Sequence, residues 1–306
     1  MQANFHSVKQ RYVYHGYHAV VMLGLILLVV SCGSGSSSSP PSNNTPKSAN
    51  PNNEINVPGW FYSNNLRSSR YIYLHLPDSY GTETDRSYPT VYLLDANWYF
   101  DGSHDRIAGG GIVEVIDDLV ASGLVPEMIV VGIGNLDDYG NGMRGDDFHS
   151  VHTPRFLQFI TDELIPMVDG KYNSAPSPVS VLIGHSSGGY FSTYALFQNQ
   201  TDGSNPIDNF ITLSIWNGHG YADIFAEELE FGERVDWNQD LGMRFFMGIG
   251  EDEEDRFLTV HNELLTTVMS RGYPGFLVQG ITYPGHDHSS YIPIAVRDGL
   301  EFVFIE

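Results

Sequence analysis

Val179-Ser180-Val181-Leu182-Ile183-Gly184-His185-Ser186-Ser187-Gly188-Gly189 is the stretch whose reading decides the fold of this chain. Its first five residues form a short, nearly continuous apolar run, the pattern of a strand buried on both faces. Gly184 to Gly188 follows at once and matches G-x-S-x-G, and a helical pattern runs on to Phe197. The motif has mechanical meaning only in that succession of strand, tight turn and helix. A serine at the tip of so sharp a turn sits on strained backbone, so the residues two places to either side must be very small. The helix that follows offers unpaired N–H groups and the positive end of its dipole, both suited to a developing oxyanion. Ser186 is therefore the candidate nucleophile.

The alternation of strand and helix continues on both sides. Residues 70–76 alternate and stop at Pro77-Asp78, predicting an early antiparallel strand. Residues 90–94 and 128–133 are two more short apolar runs, with helical spacing over residues 111–122 between them. Residues 156–168 predict an amphipathic helix with Phe156, Phe159, Ile160, Leu164 and Met167 on one stripe. Beyond the motif, residues 210–214, 244–249 and 275–282 predict strands, and residues 257–271 and 294–304 predict helices. The whole pattern predicts an α/β fold, a mostly parallel central sheet with helices on both faces.

A serine hydroxyl is a weak nucleophile at neutral pH, so it needs a base, and the base needs an orienting acid. Two strand ends downstream can supply them. One runs into Gly250-Glu251-Asp252-Glu253-Glu254-Asp255, the other into Tyr283-Pro284-Gly285-His286-Asp287-His288. Ligand sites of open α/β sheets gather at such C-terminal strand ends. Five neighbouring carboxylates repel one another, so only one or two can point inward. The His286-x-His288 spacing also invites a zinc reading, but Ser289-Ser290 stands where further ligands would be needed. No metal and no cofactor is expected.

Residues 57–306 resemble the esterase family of α/β-hydrolases that includes feruloyl esterases, enterochelin-type siderophore esterases and S-formylglutathione hydrolase relatives. Tyr88-Pro89-Thr90-Val91-Tyr92-Leu93-Leu94-Asp95 is similar to the family's third-strand signature. Phe159-Ile160-Thr161-Asp162-Glu163-Leu164-Ile165-Pro166 is similar to its helix before the nucleophile strand. Gly184 to Gly189 is the elbow, and His288-Ser289-Ser290 with Gly299-Leu300-Glu301-Phe302-Val303-Phe304 resembles its C-terminal signature. The resemblance implies an α/β-hydrolase fold with Ser186 as nucleophile. For the base it implies His288, eleven residues before Gly299, with His286 as the alternate. For the acid it implies Glu253, three residues beyond Gly250, with Asp252 and Glu254 as alternates. Some siderophore-esterase relatives are described as working with a Ser–His pair alone. The oxyanion donors would be the N–H of Ser187 and that of Ala96 or Asn97. Trp98, Tyr99, Phe100 and Trp216, on loops leaving strand ends, are candidates to line an acyl or aromatic pocket, or to be rim packing.

Composition narrows the setting. The chain has 306 residues, 42% of them apolar, which is ample for a core. Its 37 acids against 15 cations, a net charge of −22, argue against a nucleic-acid partner. Lys9 and Arg11 precede an apolar run over residues 19–30 that ends at Ser31-Cys32. Twelve helical residues span only about 18 Å, so the run suits a signal-peptide core rather than a membrane span. Val29-Val30-Ser31-Cys32 resembles a bacterial lipoprotein box, which implies a lipid on Cys32 and an envelope location, the outer membrane in preference to the inner. Residues 32–56 are rich in Ser, Asn and Pro and read as a flexible tether. The expected organisation is a lipoprotein signal peptide over residues 1–31, that tether, and an esterase domain over residues 57–306. With Cys32 alone, no internal disulfide can form. The expected activity is hydrolysis of a small neutral or aromatic ester, sugar-linked or feruloyl-like. Siderophore-ester hydrolysis and acyl transfer are alternatives on the same fold, and a non-catalytic binding lipoprotein is a further one.

Overall fold

The computed structural model describes residues 58–83, 86–102, 111–172, 179–202, 204–216 and 222–304. The expected signal peptide and tether, with Cys32, lie outside the described residues. The strands are β1 (Gly59–Ser63), β2 (Ser68–His75), β3 (Thr90–Leu94), β4 (Ile129–Ile133), β5 (Ser180–His185), β6 (Asn209–Leu213), β7 (Met243–Gly250) and β8 (Phe276–Tyr283). They form a single sheet in the order β1-β2-β4-β3-β5-β6-β7-β8. β1 and β2 pair antiparallel, as do β2 and β4, and every pairing from β4 onward is parallel.

The helices are α1 (Ala96–Tyr99), α2 (Ile112–Ala121), α3 (Arg144–His149), α4 (Thr153–Gln158), α5 (Ile165–Tyr172), α6 (Ser187–Gln198), α7 (Ile224–Arg234), α8 (Asp255–Arg271) and α9 (Ile292–Phe304). Successive side chains of a strand point to opposite faces, and the central strands use both. Val91, Leu93, Val181, Ile183 and Ile211 pack with Ile112, Ile116 and Leu119 of α2 and Val296, Leu300 and Val303 of α9. Tyr92, Leu94, Leu182 and Phe210 face the opposite core, with Phe156, Phe191, Phe197, Phe231 and Leu264 from the other helices. This is why these strands read as unbroken apolar runs. Helix α6 lies so deep that residues 188–197 are all buried.

The structure departs from the residue pattern in three places. Between α4 and α5 the helix widens into a π-helical turn over Phe159–Leu164. The extra residue advances the buried face, so Val168 is fully buried while Met167 is only half-buried. β1 had no anticipated counterpart. Helices α3 and α7 had no anticipated counterpart either; α7 is started by Asp223, whose side chain accepts the Phe225 N–H at 3.0 Å.

The order β4-β3-β5 sets the position of the site. The chain runs from β3 to β4 on one side and returns to β5 on the other, so its direction across the sheet reverses about β3. Crevices at such switch points open beyond the strand C-termini. Here those termini are Asp95 and Ser186.

Candidate active site

Ser186 has φ 59° and ψ −117°, a backbone region that only glycine enters freely. Its N–H donates to the Leu213 carbonyl at 2.8 Å, and its carbonyl accepts the Tyr190 N–H at 2.9 Å. The turn explains its glycines. A Cβ on Gly184 would sit 2.1 Å from the Gly188 carbonyl oxygen, and one on Gly189 would sit 2.6 Å from the Leu213 carbonyl oxygen. Gly188, expected from the motif to be the second strict position, is more forgiving: its Cβ would come 3.2 Å from an Asp95 carboxylate oxygen. Backbone against backbone makes Gly184 and Gly189 the rigid requirements.

Glu253 and His288 meet across the ends of β7 and β8. His288 Nδ1 lies 2.7 Å from Glu253 Oε2. The glutamate side chain is 1% exposed and the histidine 39%, so the pair has a dry end and a wet end. The other carboxylate oxygen, Oε1, accepts the Gly250 N–H at 3.1 Å and the Ser214 hydroxyl. Ser214 in turn shares a hydrogen bond with the Tyr291 hydroxyl. Donors on both oxygens hold Glu253 as an acceptor toward the imidazole and compensate its burial. The alternates point elsewhere. Asp252 and Glu254 are exposed, Glu254 pairing with Arg256. The His286 ring reaches Ser290 at 3.2 Å, and its carbonyl accepts the Asp252 N–H at 2.9 Å.

His288 stands beside the elbow, its ring centroid 4.6 Å from that of His185 and 5.0 Å from that of Phe257. Among the described residues the Ser186 hydroxyl makes no hydrogen bond to His288. Such contacts commonly tighten only when substrate is bound.

The opposite wall is built on Asp95, which has φ 55° and heads α1. Its fully buried carboxylate accepts Asn135 Nδ2 at 2.7 Å and lies 2.9 Å through both oxygens from Arg144 Nε. Arg144 Nη2 donates to the His185 carbonyl at 3.1 Å, and the guanidinium sits 5.0 Å from the Trp98 ring. Asn135 N–H donates to Asn97 Oδ1 at 3.0 Å. Ala96 and Ser187 are the first residues of α1 and α6, so neither N–H has an intrahelical acceptor.

The aromatic candidates divide. Tyr99 and Phe100 are core residues, Tyr99 bonding His185 Nδ1 at 3.0 Å and Phe100 packing on Tyr73. Trp98 is half-buried under Arg144, and Trp216 stands edge-on to His149, 5.2 Å between ring centres. Arg144, Ser214 and Tyr291 had no motif to announce them. Arg144 was faintly marked as one of only 12 cations among residues 57–306, where 36 acids stand.

Residues 63–202 match the family model described as "Putative esterase". Over that segment the chain resembles the esterase family. The esterase also shares its fold with solved structures of low identity. An IroE-like serine hydrolase from Shewanella oneidensis aligns with TM-score 0.64 at 22% identity, over 80% of this chain and 78% of its own. The siderophore hydrolase EstB from Aspergillus nidulans aligns with TM-score 0.62 at 23% identity, over 82% and 96%. A ferulic acid esterase aligns with TM-score 0.59 at 20% identity, over 80% and 96%.

Proposed function

We propose that this esterase is a serine carboxylic-ester hydrolase that works through an acyl-serine intermediate, with Ser186 as nucleophile, His288 as base and Glu253 as orienting acid. The observation that carries the reading is the 2.7 Å pairing of His288 with a buried Glu253 beside a serine on strained elbow backbone. Ser186 Oγ attacks the ester carbonyl while His288 Nε2 takes its proton. Glu253 accepts the Nδ1–H and stabilises the imidazolium without itself taking a proton. The N–H groups of Ser187 and Ala96 receive the oxyanion. As the intermediate collapses, His288 returns its proton to the departing alcohol. Water deprotonated by the same histidine then frees the acid and restores Ser186.

The substrate in this reading is a small neutral or aromatic ester, sugar-linked or feruloyl-like. The domain's excess of 36 acids over 12 cations disfavours anionic substrates. The ferulic acid esterase among the structural neighbours is in keeping with an aromatic acyl group. A second reading, hydrolysis of siderophore esters, draws on the siderophore hydrolases of Aspergillus nidulans with the same fold. Initial rates on aryl acetates, methyl ferulate, acetylated sugars and a catecholate-siderophore ester rank these readings. The aryl and feruloyl esters are expected to lead, and a siderophore ester at the head of the order overturns the first. His288→Ala should abolish turnover while His286→Ala leaves most of it; the reverse result exchanges their roles.

The domain is further proposed to stand on the envelope side of a bacterial membrane, the outer one in preference, through a lipid on Cys32 and a tether over residues 32–56. Cys32→Ser should move the esterase from the detergent phase to the aqueous phase. An unchanged partition contradicts the anchor.

A further inference from the structure

His185, the residue before the nucleophile, has a side chain for which the hydrolytic steps have no use. It is 5% exposed, and both ring nitrogens are engaged. Nε2 lies 2.7 Å from the carbonyl oxygen of His288, and Nδ1 lies 3.0 Å from the Tyr99 hydroxyl. A carbonyl oxygen only accepts, so Nε2 must carry the hydrogen. In the neutral ring, Nδ1 is then an acceptor and the Tyr99 O–H is its donor. A second proton on His185 would set a cation beside His288, 4.6 Å away between ring centres, which itself becomes an imidazolium in turnover. The His185 backbone is held as well, its carbonyl accepting Arg144 Nη2 at 3.1 Å. Tyr99 closes α1, the helix that Ala96 begins. One imidazole thus joins three parts of the site: the helix carrying one oxyanion donor, the nucleophile's own strand, and the loop bearing the base.

We infer that His185 is a positioning residue for the base: as a neutral Nε2–H tautomer fixed by Tyr99, it pins the His288 backbone and so sets where the catalytic imidazole stands relative to Ser186. The inference rests on the proposal that His288 is the base. Misplacement of a catalytic group by about 1 Å costs on the order of a hundredfold in rate. The loss should therefore fall on kcat, because His185 is only 5% exposed and offers a substrate almost no surface.

The test uses the full chain and 4-nitrophenyl acetate. Rates are normalised to sites titrated to completion with a fluorophosphonate. His185→Leu is expected to lower kcat by roughly tenfold to a hundredfold with KM changed less than about twofold. His185→Gln, whose Nε2 can still donate to the His288 carbonyl, should recover most of that loss. Tyr99→Phe frees the tautomer and should lower kcat a few-fold, again at constant KM. Wild-type kcat in His185→Leu, a loss confined to KM, or a glutamine variant no better than leucine would each overturn the inference. If the leucine variant does not fold, Tyr99→Phe decides: unchanged kcat overturns it and a fall at constant KM supports it. His288→Ala separates the two levels. Retained activity there removes the proposed base and this inference with it, whereas an inactive His288→Ala beside a fully active His185→Leu removes the inference alone.

Discussion

The two ends of the central strands differ in kind. At their C-terminal ends β3, β5 and β6 run into Asp95, Ser186 and Ser214, with φ of 55°, 59° and 49°. At their N-terminal ends Thr90, Ser180 and Asn209 are buried on ordinary extended backbone, with Ser180 Oγ donating to the Pro206 carbonyl at 2.8 Å. Among the described residues the remaining non-glycine with positive φ is Arg67, between β1 and β2. Such backbone costs on the order of 1–2 kcal/mol per residue, and it persists only where its surroundings over-determine it. Here three instances stand in a row on the edge that carries the site, each tied by hydrogen bonds to its neighbours. The opposite edge holds equally buried polar residues without strain. Burial of polar groups is thus common to both ends, and strain belongs to the one that carries the candidate site.

The contrast can be broken by substitution, and the largest effect is expected at Ser186. Ser186→Gly should lower turnover of an aryl ester by about a thousandfold or more. It should also raise the unfolding free energy by about 1 kcal/mol, since glycine enters that backbone region freely. Denaturant unfolding and steady-state kinetics on one preparation check both signs. Loss of stability instead would mean that the elbow is not strained.

Glu253→Gln comes next, with kcat lower by roughly a hundredfold to ten-thousandfold, because a neutral amide no longer stabilises the imidazolium. Ser214→Gly removes a donor to that carboxylate while relieving φ, so kcat should fall about tenfold with little change in stability. An unaffected kcat would assign Ser214 to backbone geometry alone.

His261 sharpens the comparison from behind the acid. It is buried on α8 with Nδ1 unpartnered among the described residues, and burial pushes its pKa down to about 4 against an opposing pull from Glu253. The folded state keeps it neutral while the unfolded chain takes up a proton below about pH 6.5. Stability is therefore full above that pH and is lost as pH falls toward 4, by up to about 3 kcal/mol. His261→Phe should flatten this part of the stability–pH curve, as followed by urea unfolding at pH 7.5 and 4.5. A curve of unchanged slope would place the acid sensitivity elsewhere. The smallest effect is expected at Arg67→Gly, a gain of about 0.5–1 kcal/mol with kcat unchanged. A fall in kcat there would show that the antiparallel margin reaches the site.

Much of this was legible in the residues, for identifiable reasons. β3, β4 and β5 are buried on both faces, so they had to be written as apolar runs, and G-x-S-x-G had to keep Gly184 where no Cβ fits. Glu253 and His288 were legible less directly, as members of acid and histidine clusters; only resemblance singled them out from Asp252, Glu254 and His286. The π-helical turn at Phe159–Leu164 left no mark, because one inserted residue is invisible to a periodicity spread over four turns. Arg144 and Ser214 were hidden for a different reason: a polar side chain in a loop reads as solvated until its partners are known.

The sequence by itself determined the succession of strands β2 to β8, the elbow, the candidate nucleophile and the short list of candidate acids and bases, because periodicity, glycine sterics and strand ends are local properties. Only the tertiary structure decided which carboxylate is buried against which histidine, that Asp95 and Arg144 brace the wall facing it, and that His185 links the two. Those relations join residues 35 to 103 positions apart. They depend on β3, β5, β6, β7 and β8 ending along one edge of the sheet, a fact of packing that no local pattern encodes.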